Sequence, residues 1–163
     1  MAHSSSKETA AKTLVIGIGN EYRSDDGVGI LVVRKLRKLN LSNIEIAEEP
    51  GDGARIIELW KEQKSVILVD AAQSGSEPGT IYRFEVSKNK IPAKLFKYSS
   101  HNFSVPQALE IAKSLNQLPK RVVIYGVEGK EFSDGTDMSP AVKRMSDYVV
   151  DLIIEELKIP HVK

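Results

Sequence analysis

The chain has 163 residues, 41% of them hydrophobic and 28% charged, and its 23 Lys+Arg against 22 Asp+Glu leave a net charge of +1. A chain of this length buries about 70% of its unfolded surface, enough for one ordinary core without disulfides or a structural metal. The near-neutral balance and the 6% aromatic content exclude the basic, base-stacking surface of a dedicated nucleic-acid binder. The lack of cysteine excludes a disulfide scaffold, a thiolate zinc site, an iron–sulfur cluster and a cysteine nucleophile.

Residues 1–12 are polar and carry no apolar core, so no secretory signal is expected and they read as a tag-like or disordered stretch. Residues 13–158 form the expected single domain, and residues 159–163, opened by Pro160, a short tail. No apolar run approaches the roughly 18 residues that span a bilayer. The expectation is a cytoplasmic protein with no membrane and no nucleic-acid partner.

In chain order, Thr13-Leu14-Val15-Ile16-Gly17-Ile18 is a nearly continuous apolar run, which predicts a strand covered on both faces. Gly19-Asn20 ends it in a loop. After Asp25-Asp26-Gly27, the spacing of Val28, Ile30, Leu31, Val32 and Leu36 predicts a helix, with Arg34, Lys35, Arg37 and Lys38 favourably loading its C-terminal half. Ile44 to Ala47 reads as a second strand. Gly51-Asp52-Gly53 then punctuates before a helix over about 54–61.

Ser65 to Asp70 is another wholly apolar strand that ends in a carboxylate, and a turn-rich loop over 75–79 follows. Thr80 to Val86 alternates, and no helix separates it from the preceding strand, which predicts an antiparallel edge strand. Ser104 is the expected N-cap of a helix through about Leu115, with Pro106 tolerated in its first turn. Arg121 to Val127 is a further buried strand, and Ser139-Pro140 opens the last helix in N-cap/N1 order. The alternation predicts an α/β fold. It is a three-layer sandwich in which a mostly parallel, twisted sheet of about five strands carries helices on both faces.

In open α/β sheets ligands bind at the carboxyl ends of the strands. The chain places Gly19 to Gly27, Asp70 and Glu128 at such ends, and His101 in the loop before the helix that starts near Ser104. His3 and His161 lie in the tails, so imidazole chemistry inside the domain falls to His101. Taken singly, Asp25 or Asp26 is accounted for as a helix cap and Asp70 as the organiser of a turn. Capping explains one of the two adjacent acids, not both. Together, Asp26, Asp70 and His101 offer two oxygens and one nitrogen to a divalent ion, with positions open for water or substrate. That set suits zinc, nickel, manganese or iron without choosing among them.

Competing sites fit poorly. Gly17-Ile18-Gly19 matches part of a dinucleotide fingerprint, but Tyr22 stands at the third glycine, and Glu21, Asp25 and Asp26 would repel a pyrophosphate. Ser99, Ser100 and Ser104 crowd His101 without a nucleophile elbow. Asp25 and Asp26, being adjacent, do not present two carboxyls symmetrically around one water.

Gly17-Ile18-Gly19-Asn20 with Asp25-Asp26-Gly27-Val28-Gly29 resembles the opening of the hydrogenase maturation endopeptidases. Val69-Asp70-Ala71-Ala72, Pro78-Gly79-Thr80, His101 and Gly126-Val127-Glu128 continue the resemblance in order over about 13–157. Residues 131–138 depart from it, being more polar than the family's segment after the last strand. The resemblance implies an endopeptidase that removes the C-terminal extension of a nickel-containing hydrogenase large-subunit precursor once its metal is loaded. It also implies that Asp26, Asp70 and His101 form both the metal site and the catalytic site. The nickel is then supplied by the substrate, another divalent ion can occupy the site in the isolated protein, and the enzyme works as a monomer. Asp26 is the first candidate to activate water, and Asp25 is expected to cap the helix or orient its neighbour. Two alternatives stand beside this reading. One is a non-catalytic maturation chaperone or accessory subunit that binds the loaded large subunit; the other is a small hydrolase that carries its own ion.

Overall fold

Three of the apolar runs, those that begin at Thr13, Ser65 and Arg121, become strands buried on both faces or nearly so, and their burial follows their place in the sheet. The computed structural model describes residues 12–50, 53–96 and 104–158. Strands β1 (Thr13–Ile18), β2 (Ile44–Glu49), β3 (Ser65–Ala72), β4 (Ile81–Glu85) and β5 (Arg121–Glu128) form one sheet in the order β2-β1-β3-β5-β4. β1 pairs in parallel with β2 and β3, β3 in parallel with β5, and β4 runs antiparallel to β5 at the edge. Every residue of β1 is buried, as is every residue but the first of β3 and β5, whereas β4 has none buried. Continuous apolar runs therefore mark the covered strands and alternation marks the edge. The sheet is mixed through β4 alone.

Helices α1 (Val28–Lys38) and α4 (Pro140–Lys158) cover one face, where Val32, Val33 and Leu36 meet Val142, Val149 and Ile153 over Val15, Ile67, Val69 and Val123. Helices α2 (Gly53–Trp60) and α3 (Val105–Ser114) cover the other, where Ile56, Trp60, Ala108 and Leu109 pack on Leu14, Ile16, Leu68 and Ile124. Residues alternate in β3: Ile67, Val69 and Ala71 belong to the first core, and Val66, Leu68 and Ala72 to the second. Because Gly53 already opens α2, that glycine is helical rather than part of the preceding loop. Ser104 caps α3 in a capping box, its hydroxyl accepting from Gln107 N and the Gln107 side chain accepting from Ser104 N, with Pro106 in the first turn.

At the edge of the sheet away from β2, Glu156 of α4 is buried at 4% exposure and gathers a charged cluster. It accepts from Arg83 Nε (2.9 Å) and Nη2 (2.8 Å), from Arg121 Nη2 (2.5 Å) and from the Tyr125 hydroxyl (2.6 Å). Burial pushes its carboxyl up, but the bonds from Arg83, Tyr125 and Arg121 outweigh that and hold it down at about 2. Its folded pKa is thus depressed, so its stabilisation is fully present above the ordinary value of 4.5 and is lost as pH falls toward 2. Glu156→Gln is expected to cost about 2–3 kcal/mol at pH 7. This is below the loss of a fully buried pair because Arg83 remains 40% exposed. Urea denaturation of both proteins should show the difference shrinking between pH 4.5 and pH 2; a pH-independent difference would refute the assignment.

Candidate active site

β1 to α1 to β2 steps to one side of the sheet, and β2 to α2 to β3 crosses back over the other face. The strand order therefore switches between β1 and β3, where open α/β sheets bind ligands. The loop after β1 and the end of β3 meet there.

The first loop is built around tight backbone approaches. Gly19 has φ +136°, and a Cβ there would lie 2.0 Å from the Asp26 carbonyl oxygen, so only glycine lets the chain turn under the acid. The Asn20 side chain accepts from Tyr22 N (2.8 Å), and Arg23 N and Asp26 N donate to Asn20 O and Arg23 O (both 3.1 Å). This winds the chain into a buried 3₁₀ turn over Ser24–Gly27. Asp26 Oδ2 accepts from Asn20 N at 2.9 Å, which ties the carboxylate back to the start of its own loop.

Neither aspartate caps α1. Its N-cap is Gly27, which makes no side-chain capping bond. Asp25 instead is wholly buried and accepts from Lys130 N (2.8 Å), Glu131 N (2.9 Å), Ser139 N (2.7 Å) and the Ser139 hydroxyl (2.7 Å). Burial pushes its carboxyl up, but these bonds prevail and hold it below the usual range. Ser139, expected simply as the cap of α4, thus turns its hydroxyl hydrogen to Asp25.

Asp70 does not end its strand, since β3 runs on to Ala72. It is 6% exposed, and its Oδ1 accepts from Ala71 N at 2.8 Å. By alternation it stands on the side of the sheet covered by α2 and α3. Burial, and then the charge of Asp26, drive its carboxyl well above the usual range, against the lowering effect of the Ala71 N–H. Asp26 and Asp70, far apart in the chain, are thus both buried and near enough for the charge of one to raise the carboxyl of the other.

Glu128, the acid at the end of β5, is occupied otherwise. It accepts from Ser74 N (2.8 Å), Ser74 Oγ (2.7 Å), Gly75 N (3.0 Å) and the Tyr82 hydroxyl (3.0 Å), and so holds the loop after β3. His101 lies outside the described residues, as do Ser99, Ser100, Gly51, Asp52 and the tails with His3, Pro160 and His161. Among the described residues no group of three or more His, Cys, Asp or Glu side chains gathers as a metal site. Asp26 and Asp70 are oxygen donors whose electrostatic coupling a divalent cation or a proton would relieve, and to that extent they suit a metal. Between α1 and the stretch leading into α4, a groove of about 340 Å³ is lined by Tyr22, Ile30, Leu31, Met138 and Lys143 among others, but by neither Asp26 nor Asp70.

Sequence reasoning did not foresee that Asp25 would bond to Ser139 and the segment before it. Its one available signal was the doubled acid before a helix that needs a single cap.

Buried acids at the switch point of a doubly wound sheet, behind a loop in which Tyr22 takes the third glycine's place, set this fold apart from a dinucleotide-binding one. The family model described as hydrogenase maturation protease matches residues 30–156. A protein of Methanocaldococcus jannaschii named as a hydrogenase maturation protease is 35% identical over 153 residues, covering 89% of this chain and 96% of that one. The coenzyme F420 hydrogenase subunit delta of Methanothermobacter thermautotrophicus is 27% identical, covering 91% and 96%. The solved hydrogenase maturating endopeptidase HybD from Escherichia coli shares the fold with a TM-score of 0.73 at 19% identity, covering 90% of this chain and 92% of that one. The chain belongs to the hydrogenase maturation protease family, and it is a peptidase of that kind.

Proposed function

We propose that this peptidase removes the C-terminal extension of a hydrogenase large-subunit precursor after nickel has been loaded, with Asp26, Asp70 and His101 as its metal-binding and catalytic residues. The observation that supports this reading is the buried Asp70 carboxyl, which burial and the charge of Asp26 push up, a shift that a cation brought by another chain would reverse. Two carboxylates and one imidazole would complete the coordination of an ion already held by the precursor, so that only loaded precursor docks with its scissile bond in place. Such positioning can supply several kcal/mol of the barrier. Asp26 takes a proton from water as the oxygen attacks the scissile carbonyl carbon. It returns that proton to the departing amine as the C–N bond breaks. The reading includes a monomer acting in the cytoplasm. None of the described helices is long and apolar enough to cross a membrane.

Incubation with nickel-loaded and nickel-free precursor, followed by mass spectrometry, tests this. Only the loaded precursor should shorten, and His101→Ala should abolish the shortening. Equal cleavage of both forms would refute recognition through nickel. The match to a protein named as a hydrogenase subunit favours a second reading, binding without cutting. A stable complex with the loaded precursor at unchanged mass would establish it.

A further inference from the structure

Asp25 is a buried carboxylate that the proposed chemistry does not use, and its four bonds all reach across to the segment joining β5 to α4. The bonds around it run the same way. Asp25 N donates to Glu131 O (2.9 Å), Ser24 N to Gly135 O (2.8 Å), Ser24 Oγ to Ser133 O (2.8 Å) and Arg23 Nη2 to Phe132 O (3.0 Å), while Gly135 N donates to Tyr22 O (2.9 Å). The polar stretch 131–138 is thus fastened as a strap over the turn that carries Asp26. Ser24 sits at φ +55°, a left-handed conformation that a serine keeps only where its surroundings fix it, and the strap's contacts meet it on both its amide and its hydroxyl. No capping bond from α1 braces the turn from the other side.

We propose that Asp25 is a positioning residue: by clasping residues 130–139 onto the 3₁₀ turn, it sets where the Asp26 carboxylate stands. The catalytic consequence rests on the proposed role of Asp26, but the geometric claim does not. Asn20 N donates to Asp26 Oδ2, so that amide reports the position of the carboxylate without substrate or metal.

In Asp25→Asn, the Asn20 amide should exchange with solvent about tenfold faster after correction for the change at β1 and β5 core amides. With loaded precursor, kcat should fall about 10–100-fold while KM stays within about twofold. A merely structural role would speed exchange at Asn20 and in the core by the same factor and leave kcat alone below the melting temperature; that result overturns the proposal. If Asp25→Asn does not fold, Ser139→Ala, which removes one of the four bonds, should show the same selective change at Asn20 in weaker form, and its absence there is equally fatal. A selective change at Asn20 in a protein that never cuts precursor would uphold the clasp and refute the peptidase reading. Cutting by the wild type with no selective change would do the reverse.

Discussion

Asp70→Asn is expected to lower cleavage of nickel-loaded precursor by roughly 10²–10⁴-fold, the range for loss of a group acting in the transition state, while leaving the protein at least as stable as the wild type. The two effects share one origin. Burial and the Asp26 charge raise the Asp70 carboxyl above its ordinary value of 3.8, so holding it ionised costs folding free energy. That cost is absent below pH 3.8 and grows as pH rises toward the folded value, because there the folded state binds more protons than the unfolded one. The variant carries no such cost. Its stability advantage should therefore widen with pH through that window, measured by urea denaturation without divalent ions. Asp26→Asn removes the repulsion from the other side and should lose activity to a similar extent. Should Asp70→Asn keep half of the wild-type rate, Asp70 has no part in the chemistry.

Gly29→Ala should destabilise the protein by about 3 kcal/mol or more, one of the larger effects open to a single methyl group. A Cβ on Gly29 would lie 2.3 Å from the Val69 carbonyl oxygen and 2.5 Å from that of Ile18, and one on Gly17 would lie 2.3 Å from the Gly29 carbonyl oxygen. These neighbours are backbone of β1, β3 and α1, so no side chain can swing aside. The helix must lift off the sheet, and Asp26, three residues before Gly29, moves with it. Thermal and urea unfolding measure the first consequence. Precursor cleavage at a temperature where the variant is folded measures the second, and a rate equal to that of the wild type would show that the seating of α1 does not set the site.

Most of the architecture is legible before folding because it follows from local rules. A strand covered on both sides has no wet face to encode, so β1, β3 and β5 appear as unbroken apolar runs, and β4 betrays its edge position by alternating. Ser104 announces the start of α3 because a side-chain cap bonds within its own helix's first turn. The boundaries slip by one or two residues where the pairing partner decides them. β3 outlasts Asp70 because β5 continues beside it, with Ala72 opposite Glu128.

The sequence by itself determined that Asp25, Asp26, Asp70 and Glu128 would come to the carboxyl ends of the strands, since each follows or closes an apolar run in a βα alternation. Only the tertiary structure decided what each acid does there, for that depends on which donors arrive from distant segments. Glu128 receives the loop after β3, Asp25 receives the strap before α4, and Asp70 among the described residues accepts from the Ala71 amide beside the charge of Asp26. Four like residues at one end of a sheet are the same chemistry until the fold distributes the N–H groups.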